Sequence, residues 1–326
     1  MTNNLTMGKT EWVLLFVLAM IWGGSYFFAK VALNEISPMN LVFLRVILAS
    51  LALYILIKLL HKKIPKDISI WKSFFAMGLI NNIIPFALLF WGQTHINSSL
   101  AAIFNCTVPI FTIIIAHVFT SDERISKNKI LGIALGFVGV IIMIGTDIQE
   151  QTNKWAILAM FACLLAAVSY AIATVYGRRF QQFKVEPLVV AFGQVTASSI
   201  ILLPIIITSS QLLHVTTLSA ATLLSVLALG FICTALAYVI YFRILAKGGA
   251  TNISLVVLLI PVSAIALGVI ILGEQIKLSY LMGMLTIFAG LIAIDGRLWS
   301  MLRSKQLSRK QELLKQIAVK PVKCNQ

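Results

Sequence analysis

Residues 12–33 read WVLLFVLAMIWGGSYFFAKVAL, twenty-two positions with a single charge at Lys30. A helix of that length reaches across a hydrocarbon layer of about 30 Å. The run is longer than a signal-peptide core and lacks a small-x-small site followed by a soluble stretch, so it predicts a first transmembrane helix that stays attached. Nine more apolar blocks follow: Met39–Leu60, Ile70–Trp91, Ser98–Phe119, Ile130–Thr146, Trp155–Tyr176, Leu188–Thr208, Leu218–Leu245, Ala250–Leu272 and Leu278–Asp295. They are continuous rather than alternating. In lipid only helices or closed barrels satisfy the backbone, so helices are expected. Pro38 and Pro187 fall at helix starts, where a missing N–H costs little.

Composition agrees. The 326 residues are 60% hydrophobic and 11% charged, whereas soluble domains carry about 25% charged residues. Little is left for loops, so no soluble domain of ordinary size fits. The net charge of +15 would point to nucleic acid in a soluble chain. Here the charge lies between apolar blocks, so nucleic-acid binding is not expected. With the N-terminus inside, 22 of the 26 Lys and Arg fall on inner segments and only Lys154 and Lys277 on outer ones; Lys30 and Arg45 lie within helices. This asymmetry predicts ten spans with both termini cytoplasmic, in a cell membrane. One missed helix would put the downstream charges on the wrong side. The cysteines Cys106, Cys163, Cys233 and Cys324 form no CxxC or His/Cys cluster, so neither a metal site nor a disulfide framework is expected.

The chain also repeats itself. Pro38-Met-Asn-Leu-Val-Phe-Leu-Arg45-Val46 matches Pro187-Leu-Val-Val-Ala-Phe-Gly-Gln194-Val195. Ser25-Tyr26 matches Ser169-Tyr170, Pro109 matches Pro261, and Glu123, Gly132 and Gly139 match Glu274, Gly283 and Gly290, with offsets drifting only from 144 to 152. Five helices per half is an odd number, so the second half must enter the membrane upside down. The fold class expected is an all-α integral membrane protein of ten transmembrane helices in two inverted five-helix repeats, with a site near the membrane middle between them. The units are residues 12–146, 155–296 and a basic cytoplasmic tail, 297–326, whose leucines are spaced loosely as on an amphipathic surface helix.

The stretch Ile21-Trp22-Gly23-Gly24-Ser25-Tyr26 with Lys30, Pro38 and Arg45 resembles the opening of the EamA family, in the drug/metabolite transporter superfamily. Ser99-Leu100-Ala101-Ala102 to Pro109 with Glu123, and Asn252, Pro261 and Gly273-Glu274 in the second half, resemble it too. The resemblance covers residues 12–296 and implies ten helices and export of amino acids, metabolites or drugs. The halves differ where Arg45 is answered by Gln194 and Lys30 by Thr174 or a neighbour.

Lys30 and Arg45 are the sharpest candidates for substrate binding, because a charge in mid-helix is disfavoured by roughly 2.5–3.5 kcal/mol in a bilayer. Counted from the turn at 34–37, Lys30 lies ~9 Å and Arg45 ~13 Å down at ~1.5 Å per residue, a similar depth. Either one or both face a wet cavity and attract a carboxylate, or Lys30 snorkels and Arg45 caps helix-end carbonyls. Trp22, Tyr26, Asn81, Asn82, Trp91, Asn105, Tyr170, Tyr238, Tyr241 and Asn252 are candidates to line the pocket. The alternatives are helix glue for the asparagines and an interfacial belt for the aromatics, which suits Trp91 and Tyr176 best. Pro109 and Pro261 are candidate hinges, since each removes a backbone hydrogen bond. Gly132, Gly136 and Gly139 with Gly283 and Gly290 suit close helix packing, either within the chain or in a homodimer.

No carboxylate or histidine lies mid-membrane, which disfavours a carboxylate proton relay and favours facilitated transport or exchange. No nucleophile, acid–base pair, metal set or P-loop stands out, so neither an enzyme nor a cofactor is expected. The reading is a carrier of small molecules working by alternating access; a lipid flippase is the alternative.

Overall fold

A computed structural model describes residues 8–119, 127–149, 153–208, 218–253 and 256–295. Glu123 and the tail 297–326 lie outside the described residues. Within them the elements are α1 (Lys9–Ala32), α2 (Pro38–Leu59), α3 (Ile68–Met77), α4 (Ile84–His95), α5 (Ser98–Asn105), α6 (Val108–Phe119), α7 (Lys127–Gln149), α8 (Lys154–Tyr176), α9 (Arg179–Gln182), α10 (Pro187–Thr208), α11 (Ala220–Leu227), α12 (Ala237–Ile253), α13 (Val256–Ile270) and α14 (Leu278–Asp295). Among the described residues, seven helical stretches are long and apolar enough to cross a membrane. Three shorter apolar helices, Asn128–Ile144, Leu259–Ile270 and Leu278–Ile294, accompany them.

Local chemistry sets the helix starts. Asp67, Asn153 and Ser219 each accept a bond from a first-turn N–H, at Ser69, Trp155 and Thr222. Pro38 and Pro187 open α2 and α10 as expected. One boundary differs: the apolar blocks ending at Leu245 and starting at Ala250 leave Lys247-Gly248-Gly249 between them, yet α12 runs on to Ile253. Glycine inside a helix is disfavoured by only about 1 kcal/mol relative to alanine, so flanking helix can carry it through.

The two faces of the bundle are identified by cross-links. On one, Lys62 pairs with Glu186 at 2.9 Å and Lys247 with Glu11 at 3.5 Å. On the other, Lys30 reaches the end of α4, Glu35 accepts from Ser219 N–H at 2.8 Å, and Asn97 donates to Gln275 O at 3.1 Å. These are called the Lys62 face and the Lys30 face. α1 begins on the Lys62 face beside Lys247. α8 begins on the Lys30 face, where the Trp155 ring stacks on His95 at 5.7 Å. The bundle is apolar outside, with residues such as Ile141 and Leu285 more than 60% exposed, and it carries Arg45, Asn82, Gln93 and Gln194 within. Lipid is the solvent that fits such a surface.

The glycine stripe is spent inside the chain. α7 and α14 approach so closely that a Cβ on Gly139 would sit 2.6 Å from Gly283 O, and one on Gly290 would sit 2.6 Å from Gly132 O. Backbones can meet like this only without side chains. Gly139→Ala should therefore destabilise the protein by about 1–3 kcal/mol through overpacking. Gly24→Ala is the control, since its Cβ would meet nothing nearer than Phe28 at 3.6 Å. Equal melting temperatures for the two variants in detergent would contradict this account of the α7–α14 contact.

Candidate functional site

Interruptions of regular helix place the polar groups of the site. Between α3 and α4 the backbone takes π geometry over Gly78–Ile83, and between α11 and α12 it does so over Ala228–Leu236. The two segments occupy matched positions: Gly78 and Gly230 stand 152 residues apart, the same offset as Pro109 and Pro261. A π turn inserts an extra residue and disturbs the regular ladder, and such turns recur at functional sites. Here Thr234 Oγ1 donates to Leu229 O, five residues back, at 2.8 Å.

Each π segment lies against the second helix of the opposite repeat. A Cβ on Gly78 would sit 2.9 Å from Gln194 O in α10, and one on Gly230 would sit 2.5 Å from Leu48 Cβ in α2. This brings matched side chains face to face. Asn81 Nδ2 donates to Gln194 Oε1 at 2.8 Å, and Gln194 Nε2 donates to the Tyr238 hydroxyl at 3.2 Å. On the other side Arg45 Nε donates to Thr234 Oγ1 at 3.0 Å. The arrangement is symmetric in position and asymmetric in charge.

Arg45 is 7% exposed. Its guanidinium carbon lies 3.9 Å from the centre of the Phe86 ring and 5.9 Å from that of Phe90. Cation–π contact of this kind offsets part of the loss of water around the charge. Among the described residues, Nε is the one guanidinium nitrogen with a hydrogen-bond partner.

These residues border a cavity of about 460 Å³ between the two halves. Trp22, Tyr26, Arg45, Asn105, Tyr170 and Tyr238 line it, together with Asn81 and Tyr241. At the Lys30 end it is closed by Phe86, Phe90 and Gln93, all nearly fully buried. Toward the Lys62 face it extends to Thr174, Gly177 and Val190, where Thr174 is exposed. The cavity is thus open toward the Lys62 face and shut toward the Lys30 face.

Lys30 lies outside the lining. Its Nζ donates to Gln93 O at 2.5 Å and Ile96 O at 2.9 Å, the carbonyls left unpaired where α4 ends. Lys30 thus neither snorkels nor enters the cavity: it caps a helix end, the role weighed for Arg45, while Arg45 borders the cavity. Asn82 also lies outside the lining. It is fully buried and donates to Ser198 Oγ at 3.0 Å, which joins α10 to the first π segment. Asn252 stands near the end of α12, and its side chain is outside the described residues. Trp91 sits at the Lys30 face beside His95 and Trp155.

The two prolines differ. Pro109 follows a real break: α5 ends at Asn105, Cys106 and Thr107 form a turn, and α6 starts at Val108. That break puts Asn105 and Cys106 on the cavity wall. Pro261 lies inside the continuous α13. Sequence reasoning missed Gln93, Phe86, Phe90 and Thr234 as lining residues. Phe86, Phe90 and Gln93 are spaced i, i+4, i+7, the signature of one helix face, but the block around them is apolar on every side and hides the stripe.

Comparison with known proteins gives a consistent answer. The family described as the EamA-like transporter family matches twice, over residues 10–145 and 157–294. The "Uncharacterized transporter YoaV" of Bacillus subtilis is 24% identical over 84% of this chain and 92% of its own length. The "Probable amino-acid metabolite efflux pump" of Salmonella typhimurium is 27% identical over 87% of this chain and 94% of its own. One solved structure, described only as a crystal structure of a protein, superposes with TM-score 0.64 at 17% identity over 90% of this chain and 98% of that one. Fold, repeat and relatives agree, and the chain belongs to the EamA-like transporter family.

Proposed function

We propose that this protein is a ten-span exporter of small organic metabolites, built from two inverted five-helix repeats that alternate around the central cavity. The observation that carries this reading is the one-sided cavity: about 460 Å³, lined by aromatic and polar side chains, shut toward the Lys30 face and open toward the Lys62 face. Its size falls in the range of small-molecule sites. The excess of basic residues in its loops supports a cytoplasmic Lys62 face with both termini on that side, and on this reading the conformation is the one that loads substrate from inside. Two relatives are named as probable amino-acid metabolite efflux pumps, which supports outward transport of metabolites. The break before Pro109 and the two π segments supply the points where helices bend as the repeats rock. Among the described residues the lining holds no carboxylate to carry a proton relay, which supports facilitated transport or exchange as the mode.

The test is efflux of labelled amino acids, organic acids and drug-like cations from proteoliposomes. Protein-dependent, saturable movement of at least one solute is expected. If every solute fails and lipid scrambling appears instead, the carrier reading is wrong.

A further inference from the structure

We infer that the solute held in this cavity carries a net negative charge: a carboxylate on an apolar or aromatic body, with a neutral N–H or O–H donor and no free ammonium. This deepens the carrier reading and rests on it. Among the described residues, Arg45 carries the one formal charge lining the cavity, with no Asp, Glu or Lys beside it. Its terminal nitrogens have no hydrogen-bond partner among the described residues, while Nε is fixed by Thr234 and the plane is held over Phe86. A guanidinium anchored through Nε leaves its terminal N–H pair as a fork that fits a carboxylate. A buried charge without an ionic partner is strongly disfavoured, so the ligand is the natural source of the missing anion.

The rest of the wall defines the rest of the ligand. Gln93 Oε1 and Asn105 Oδ1 are buried and unpartnered, and both residues line the cavity. Gln93 is one turn beyond Phe90, on the helix face over which the Arg45 guanidinium lies. Neutral amides satisfy an amide N–H or a hydroxyl well. They do not balance the charge of an ammonium, which would be taken from water into a cavity already carrying one positive charge. An amino-acid zwitterion therefore leaves its ammonium uncompensated, whereas an N-acylated amino acid or a hydroxy acid does not. Trp22, Tyr170, Tyr238 and Tyr241 offer flat surfaces to its side chain.

A charge series built on one skeleton tests this: N-acetylphenylalanine (anion), phenylalanine (zwitterion), N-acetylphenylalaninamide (neutral) and phenylalaninamide (cation). Binding to the purified full-length protein is read by intrinsic tryptophan fluorescence and by calorimetry. The anion is expected to bind at least tenfold more tightly than the other three. Arg45→Gln should erase the advantage of the anion over the neutral compound. If that variant does not fold, the wild-type series still decides. Equal or tighter binding of the zwitterion or the cation overturns the inference, as does binding of none of the four. Efflux of the same compounds from proteoliposomes separates the two readings. Movement of zwitterion or cation but not anion sinks the anion inference and leaves the carrier standing. Movement of no solute, in this series or the wider panel, sinks the carrier.

Discussion

Replacing Arg45 by glutamine is expected to lower anion transport by roughly 30-fold or more while leaving the melting temperature unchanged or higher. The transport loss follows from removing one partner of a buried charge pair, which weakens binding by about 2–5 kcal/mol. The stability argument runs the other way. In the substrate-free protein the guanidinium is buried with a hydroxyl and two rings for company, and burial of an unpaired charge opposes folding. The matched position in the second repeat is already glutamine: Gln194 sits against the π segment of the first repeat and bonds Asn81 and Tyr238. A neutral amide therefore fits this kind of site. The measurement pairs a thermal melt in detergent with initial rates of efflux. A variant that loses transport and stability together would make Arg45 a structural residue. A variant that keeps both would remove it from the substrate path.

Much of the architecture was legible because membrane folding leaves few options. Apolar blocks had to be helices, and the matched motifs had to be a repeat. Arg45 drew attention for the same reason: a charge among apolar residues is disfavoured and needs a cause. The sequence did not separate Arg45 from Lys30. Depth alone put them level, and only the packing of α1 against the end of α4 turned Lys30 away from the cavity. The π segments were hidden because Ala228–Leu236 is as apolar as its flanks and the Asn81-Asn82 pair in Gly78–Ile83 reads equally as pocket lining or helix glue; what marks both is contact with the opposite repeat at Gly78 and Gly230. The Pro109 break was half-visible. The proline announced a lost hydrogen bond, but the matched Pro261 sits in unbroken helix, so the residue type alone did not decide the outcome.

Glu274→Ala is expected to loosen the closed end of the cavity. Gly273, with a backbone φ of +66°, turns the chain so that Glu274 points at the start of α5. There Oε1 accepts from Ser98 N and Oγ, both at 2.7 Å, and Oε2 accepts from Ser99 N at 3.1 Å and Oγ at 2.5 Å. One carboxylate thus fills the unpaired donors at the positive end of a helix. On the neighbouring helix, Lys30 holds the end of α4. The second repeat therefore clamps the start of α5, while Lys30 from within the first repeat holds the end of α4. Bonds to a charged group contribute about 1.5–3 kcal/mol each, and they are not additive, so a total loss of about 2–4 kcal/mol is reasonable for this half-buried group. The melting temperature should fall. The more specific readout is access: Gln93→Cys, at the shut end of the cavity and in a background without native cysteines, should react with an impermeant maleimide from the Lys30 face at least several-fold faster once Glu274 is alanine. Glu274→Gln should show an intermediate rate, because its amide keeps one acceptor oxygen but loses the charge. If labelling from that face is unchanged while stability falls, the carboxylate is a helix cap alone and the closure of the Lys30 face has another origin.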